Sequence, residues 1–222
     1  MIRVLITFLL VFLSLKCNSQ NEFFSELSIE KEFLYNEGKH FNLDVNYKHA
    51  YQDSKWRKLG FTISTQKKLN DHWSIVSGIV NNYRFDKDLG DFFEVRPKLG
   101  LQLKTPIIKS LSFSQRVLVE WRNFFISKHN HYLRSRYKVL LNYIFPNNNE
   151  DNAWSLSSAF EWYYLKAPDV RERFSNSREF SFFLSKKIQE VHYSLGYIRE
   201  VFLFRSSNFG RVGNSISLKI SF

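Results

Sequence analysis

The stretch from His131 to Phe145 constrains the fold most, because its side chains alternate between two chemical classes along its whole length. One row is mainly apolar and consists of Leu133, Ser135, Tyr137, Val139, Leu141 and Tyr143. The other row is polar and basic and consists of Tyr132, Arg134, Arg136, Lys138, Leu140 and Asn142. A period of two predicts a β-strand with one face of each kind. Three successive cations are costly to bury without partners and unusual on a sheet that faces water. The pattern therefore favours an apolar face that meets lipid and cations that line an aqueous lumen together with carboxylates.

The same alternation recurs along the rest of the chain and predicts an all-β protein with eleven segments: 22–34, 40–50, 56–68, 73–84, 92–104, 111–123, 131–145, 153–164, 178–187, 190–202 and 213–222. Segments of about 10–14 residues suit tilted strands that cross a bilayer, which need about 9–11 residues. No segment has a sustained helical period. We therefore predict a single up-and-down antiparallel transmembrane β-barrel. Single-chain bacterial barrels have even strand numbers, so we expect about 10–12 strands, with one segment outside the wall or one strand missed.

Two prolines near the fifth segment carry local predictions. Pro97 lies inside the segment and lacks a backbone donor, which indicates a β-bulge, and Pro106 is expected to help end the strand.

The start of the chain has the pattern of a secretory signal. Arg3 precedes an uncharged, mostly apolar run from Val4 to Leu15, which is too short to span a bilayer as a helix but suits the central region of a signal peptide. Small side chains at Cys17 and Ser19 suit cleavage before Gln20. We therefore predict a signal peptide at residues 1–19 and an outer-membrane barrel domain at residues 20–222.

The single cysteine, Cys17, leaves an alternative open, because a cysteine at the end of a signal can also be an acylation site. Lys16 disfavours it, since lipoprotein signals have a small residue at that position. If cleavage follows Ser19, the mature chain has no cysteine and hence no disulfide.

The charge balance points to anionic lipid rather than to nucleic acid. The chain has 32 Lys and Arg against 21 Asp and Glu, a formal net charge of +11. An exported basic protein rarely meets nucleic acid, so outer-membrane lipid and lipopolysaccharide are the expected partners. We place the protein in the outer membrane of a diderm bacterium, as a monomer.

Aromatic residues near the segment ends are typical of the interfacial girdles of membrane barrels. They are Trp73, Tyr83, Trp121, Phe124, Phe125, Tyr132, Tyr143, Trp154, Trp162 and Tyr164. The last residue, Phe222, is in phase with an apolar row. A terminal phenylalanine of this kind resembles the signal that barrels present to the outer-membrane assembly machinery, which we expect as a further partner.

The charged residues of the polar rows are the candidate functional residues. By alternation they point to one side and predict a luminal network of Glu94, Arg96, Lys98, Arg116, Glu120, Arg122, Arg134, Arg136, Lys138, Glu161, Glu179 and Glu200. Arginine beside glutamate on neighbouring strands can form bidentate ion pairs. One interpretation is that this network fills the barrel and fixes its shape. The other is a narrow polar pore that favours anions, because cations outnumber carboxylates in this set.

Four groups of residues resemble the DUF2490 family of exported proteins without an established biochemical function. They are Glu94-x-Arg96-Pro97, Arg116-x-x-x-Glu120-x-Arg122, Arg134-x-Arg136-Tyr137 and Glu161. The resemblance covers most of the mature chain, although the family pattern is hard to follow after Phe174. It implies an outer-membrane barrel and supplies no activity.

Two other function classes are alternatives. A soluble periplasmic barrel of lipocalin type would bind an apolar ligand and would have its apolar rows inside and its charged rows outside. A membrane-barrel lipid hydrolase would need a Ser, a His and an orienting polar group on the lipid side. The sequence has no G-x-S-x-G, H-E-x-x-H or glycine-rich phosphate loop. His129 and His131 lack a third ligand nearby, so we expect no metal site. Because the catalytic motifs are absent, we also expect no enzyme activity and no cofactor.

Overall fold

The computed structural model describes residues 21–36, 39–51, 56–87, 90–126, 129–146, 152–165, 174–202 and 212–222, so the predicted signal peptide lies outside the described residues. Eleven strands make up almost all of this part: β1 Asn21–Asn36, β2 Lys39–Ala50, β3 Arg57–Lys68, β4 Trp73–Phe85, β5 Phe92–Ile108, β6 Leu111–Phe125, β7 His129–Ile144, β8 Trp154–Leu165, β9 Asn176–Ile188, β10 Val191–Phe202 and β11 Val212–Ser221. Within these residues, no helix has the length and apolar character that a membrane crossing requires.

The strands form one closed barrel, which confirms the predicted all-β barrel and its range of strand numbers. Each strand pairs antiparallel with the next one in the chain, and β1 closes the barrel by pairing parallel with β11. The register of this pair runs from Asn21 opposite Val212 to Glu30 opposite Ser221. The expectation that one segment is outside the wall or missed is therefore wrong. An all-antiparallel ring requires an even number of strands, and a single parallel pair removes that requirement.

The barrel has two rims, which we name by their connections. At the turn rim, short links such as Lys109-Ser110 and Gln189-Glu190 join the strands. At the loop rim lie the first residues of β1 and β11 and several connections, including the one between Leu165 and Asn176. The position of a side chain in the lumen can therefore be described by its distance along the strand from one of the two rims.

The two faces of the wall differ in the way that the alternation predicts. Large apolar side chains point outward and are exposed, for example Leu101 at 47% and Leu133 at 60%. The inward rows contain most of the buried charged residues, among which Glu94, Glu120 and Arg122 are 0% exposed. A lipocalin-type barrel would have the opposite arrangement of faces.

Two aromatic clusters lie inside the barrel near the loop rim. One consists of Phe24, Ala50, Trp56 and Phe202 with Phe174 packed against it, and the other consists of Phe92, Phe124 and Tyr132 with Ile126 and Leu165. The girdle interpretation is therefore wrong for Phe124 and Tyr132, which point inward with exposures of 0% and 8%. Both rings cover the buried Arg122. Residues of even number on β6 and β7 face the lumen.

Both proline predictions fail. The register between β5 and β6 is the same on either side of Pro97, although pairing with β6 lapses at Arg96 and Pro97. The strand continues past Pro106 to Ile108. The register shift falls between Pro106 and Ile108 instead, where it accommodates a residue without a backbone donor near the end of the strand.

Candidate functional site

The inward rows of β4 to β8 bring together charges that are far apart in sequence. Glu94 is on β5, Glu120 on β6 and Glu161 on β8, and all three carboxylates are almost completely buried. A buried carboxylate needs cationic partners and hydrogen-bond donors to offset its lost hydration. Each of these carboxylates finds arginines on its own strand or on a nearby one.

Glu94 is held by three arginines. Arg96 donates from Nε and Nη2 at 2.9–3.1 Å, Arg122 donates from Nε at 2.5 Å, and Arg84 donates from Nη2 at 3.2 Å. The amide of Asn82 adds a fourth donor at 3.2 Å. One carboxylate therefore serves three cations, and its removal would leave all three guanidinium groups without their shared anion.

Glu120 continues the same chain of contacts. Arg134 binds its Oε2 with Nε at 2.7 Å and Nη2 at 2.5 Å, while Arg136 Nη1 donates to Oε1 at 2.7 Å. Arg96 links this carboxylate to Glu94, because its Nη1 lies 3.8 Å from Glu120 Oε1. Arg136 also donates to Glu161 Oε1 from Nε at 2.9 Å and is 2.8 Å away through Nη2.

The contacts then continue around the lumen to the other side of the barrel. The Tyr163 hydroxyl lies 3.3 Å from Glu161 Oε2 and 2.9 Å from Glu179 Oε2, and can donate to either. Asn176 Nδ2 donates to Glu179 at 3.4 Å and to Glu200 at 2.8 Å. The ammonium of Lys48 completes this series of contacts with an ion pair to Glu200. We call this series of contacts, from Arg84 to Lys48, the belt.

The Lys48–Glu200 pair joins strands that are not neighbours. Lys48 is on β2 and Glu200 is on β10, so the pair reaches across β1 and β11. We call these four strands the closing seam. At this level the inner face of β11 consists of the small residues Gly213, Ser215 and Ser217. A Cβ at Gly213 would lie 2.6 Å from the Phe202 ring and 2.8 Å from the Phe24 ring. The small residues thus leave room for the aromatic cluster and for the ion pair.

Aromatic rings cover several cations of the belt. The Arg122 guanidinium lies 4.8 Å from the Phe124 ring and 5.3 Å from the Tyr132 ring, and its Nη1 donates to the Tyr132 hydroxyl at 2.6 Å. Arg134 and Arg136 lie 5.0 and 4.9 Å from the Tyr163 ring. Cation–π contacts of this kind are stronger where water is excluded, so the rings help to keep the arginines in the lumen.

A cavity of about 220 Å³ adjoins the belt on the side of the loop rim. Among its lining residues are the cations Lys48, Lys58, Arg84, Arg96, Arg122, Arg134 and Arg136 and the carboxylates Glu26, Glu179 and Glu200. Cations outnumber carboxylates by seven to three in this lining. Five of these cations are bound to the belt carboxylates Glu94 and Glu120 and Lys48 is paired with Glu200, so Lys58 is the lining cation without an ion pair among the described residues.

Three predicted network residues lie outside the belt. Arg116 and Lys138 approach Glu161 only to 4.0 and 3.9 Å, and Lys98 makes no hydrogen bond or ion pair with any described residue. The prediction also missed Lys48, Lys58, Arg84 and Tyr163. Lys48 and Lys58 lie in polar rows of their segments, and Arg84 follows the outward Tyr83, so the same alternation could have identified them.

The remaining girdle residues point outward. Trp73, Tyr83, Trp121, Phe125, Trp154 and Tyr164 are exposed, and Tyr143 and Trp162 are half-buried. Trp162 stacks on Tyr137 with 5.6 Å between ring centroids. At the turn rim, lysines lie against two outward rings: Lys31 is 4.8 Å from Phe222 and Lys186 is 5.2 Å from Trp154. Rings and long cations together suit a lipid–water boundary.

Metal ligation has no support in the part of the chain that the structure describes, where no three His, Cys, Asp or Glu side chains are grouped around a common point. His131 points outward beside Trp121, with 6.1 Å between the ring centroids. The side chain of His129 lies outside the described residues.

Comparisons with known proteins agree with the fold. Residues 21–209 match the model of DUF2490, described as a protein of unknown function. The chain is also similar to a solved structure described as the NanC porin in a rhombohedral crystal form, with a TM-score of 0.50 and 13% identity. That similarity covers 83% of this chain and 85% of the porin chain. Curated proteins give no match.

Proposed function

The chain belongs to the DUF2490 family, whose function is unknown, and we propose that it is an outer-membrane β-barrel whose constricted, positively charged lumen admits small anions. The proposal includes export by the predicted signal peptide and a monomeric state, and it includes no catalytic role. The observation that carries it is the contrast between the two faces of the wall. Exposed aliphatic and aromatic residues form the outside, and buried arginines and glutamates form the inside.

The outward face supports the membrane location. A soluble protein rarely exposes a contiguous apolar surface of more than a few hundred Å², whereas here exposed large apolar residues occur on all eleven strands. Closure of the barrel leaves no unpaired strand edge, as the hydrocarbon core requires. The outward Phe222 at the turn rim is accessible for recognition by the assembly machinery, and lipid with lipopolysaccharide would surround the wall.

The lumen supports the preference for anions. The belt and the two aromatic clusters narrow the interior, and the cavity beside the belt is small and is lined by more cations than carboxylates. Rings of charge in a narrow pore select ions by sign. Lys58 is the best residue for a test, because it lines the cavity and makes no hydrogen bond or ion pair with the described residues.

Planar bilayer recordings on purified, folded protein test this function. We expect a small conductance whose reversal potential in a KCl gradient indicates that chloride passes more readily than potassium. Lys58→Gln should reduce this preference. Lys67→Gln is the matched control, because Lys67 is an exposed lysine on the outer face of the same strand. Absence of any ion current from protein that shows normal heat-modifiability on gels would refute the pore.

A second candidate is a purely structural role of the belt, and the complete burial of Glu94, Glu120 and Arg122 favours it. In that case the lumen carries no current, while loss of a belt carboxylate still destabilises the barrel. Extraction tests the membrane location for both candidates. Release of the protein by salt or mild osmotic shock, without detergent, would contradict it.

A further inference from the structure

Three cations point into the lumen on the turn-rim side of the belt, two of them opposite each other and the third two inward positions closer to the loop rim. They are Lys98 on β5, Arg116 on β6 and Lys138 on β7, on the inner faces of three consecutive strands. All three are partly exposed, and the side chains of Arg116 and Lys138 are 29% and 25% accessible. We propose that these three side chains bind a small multivalent oxyanion of the phosphate class from the water of the lumen.

The carboxylates nearby do not balance these charges. Arg116 and Lys138 are directly opposite each other in the register of β6 and β7, where like charges repel, and Lys138 is opposite Glu161 in the register of β7 and β8. Their nearest carboxylate, Glu161, lies 4.0 and 3.9 Å away and is bound by Arg136 at 2.8 Å. The pair therefore shares one anion that a third cation already binds.

Lys98 is in a similar position. Its register partner across the strands is Glu120, yet that carboxylate is bound by Arg134 and Arg136 at 2.5–2.7 Å. No ion pair with Lys98 exists within the described residues. The Lys98 ammonium thus has no carboxylate of its own among the described residues, although it points into the same lumen as the cations of β6 and β7.

The donor set fits an oxyanion with several oxygens. The Nε of Arg116 is buried and has no hydrogen-bond partner among the described residues, which leaves a guanidinium donor for a ligand. Two ammonium groups add rotatable donors, and guanidinium with ammonium is the usual combination at phosphate sites. Neutral donors are also available, because Ser114 and Gln102 point inward on β6 and β5. A dianion would offset two of the three positive charges, whereas a monocarboxylate would offset only one.

This inference rests on the proposed function for its biological role, since the site would hold an anion on its path through the lumen. Binding itself requires no passage, so the two can be tested separately. The test is calorimetric titration of the folded, detergent-solubilised protein with inorganic phosphate at about pH 7.5, where phosphate is mostly a dianion. Acetate is the monovalent comparison. We expect phosphate to bind at least about tenfold more tightly than acetate.

Variants locate the site. Arg116→Gln combined with Lys138→Gln should weaken phosphate binding by about tenfold for each cation removed. Lys104→Gln is the matched control, because Lys104 points inward on β5 nearer the turn rim and should leave binding unchanged. If the double variant fails to fold, Lys98→Gln alone should reduce affinity about tenfold, and Lys98→Arg should restore it.

Equal phosphate affinity in the wild type and the Arg116/Lys138 variant would overturn the site, even if bilayers show an anion-selective current. Equal affinity for acetate and phosphate would overturn the choice of a multivalent ligand. Phosphate binding that depends on the three cations, in a protein without ion current, would support the site and refute the pore.

Discussion

The wall from β4 to β8 and the closing seam both bury charge, but they do so in different ways. In the wall, Glu94 accepts from three arginines and Glu120 from two, with partners on the same or neighbouring strands. In the seam, one lysine and one glutamate meet across two intervening strands. The wall thus has several cations for each carboxylate and depends on the carboxylates, whereas at the loop rim the seam depends on both members of one pair.

This difference shows where a barrel of this kind is vulnerable. Parallel pairing is slightly less stable per residue than antiparallel pairing, and β1–β11 is the only parallel pair among the described strands. Lys48–Glu200 at the loop rim and Glu30–Lys219 nearer the turn rim reinforce it. Side-chain contacts therefore supplement the backbone where its pairing is weakest.

Removal of a shared carboxylate should have the largest effect. Glu94→Gln leaves Arg84, Arg96 and Arg122 near a neutral amide in a buried site, and we expect a loss of about 5 kcal/mol in the free energy of unfolding. Urea unfolding in detergent micelles, followed by tryptophan fluorescence, measures it. Glu26→Gln is the control, because Glu26 faces the lumen without a hydrogen bond to any described residue, and should cost less than about 1 kcal/mol. Equal losses of unfolding free energy in Glu94→Gln and Glu26→Gln would contradict the idea that Glu94 matters because three arginines share it.

Breaking the seam pair should have an intermediate and more local effect. Lys48→Met leaves the Glu200 carboxylate with Asn176 and Ser215 as its partners among the described residues, and we expect a loss of about 3 kcal/mol. Lys48→Met combined with Glu200→Gln should recover part of it, as a double-mutant cycle would show. Hydrogen exchange should accelerate in β1 and β11 more than in β5 and β6. Uniform acceleration around the barrel would show that the seam is not a separate weak point.

Loss of one arginine from the wall should have the smallest effect. Arg134→Gln leaves Glu120 with Arg136 at 2.7 Å, so we expect a loss of about 1–2 kcal/mol by urea unfolding. Arg199→Gln is the matched control, because Arg199 is on the exposed outer face of β10, away from the belt, and its loss tests the effect of removing any arginine. A cost for Arg134→Gln as large as that for Glu94→Gln would show that the wall has no redundancy.

Alternation alone predicted much of this arrangement. The boundaries of segment 73–84 agree within one residue with Trp73–Phe85, because each outward and inward side chain is determined locally by the pleat. Closure is not local, so neither the parallel seam nor the Lys48–Glu200 pair could be predicted from the segments one at a time. Phe124 was wrongly assigned to the girdle because an aromatic residue near the end of a strand usually lies at the membrane interface. Its position over Arg122 inside the barrel depends on how neighbouring strands pack, which the sequence does not show.

The parallel closure separates the start of β1 from the end of β11 by the height of the wall. In a barrel with an even number of strands these two points are on the same rim, and a tight hairpin could join them in a circular permutant. Here a linker would have to run along β11, whose ten residues span about 33 Å. A permuted chain therefore needs at least about ten extended residues of extra sequence, laid through the lumen or over the lipid-facing surface.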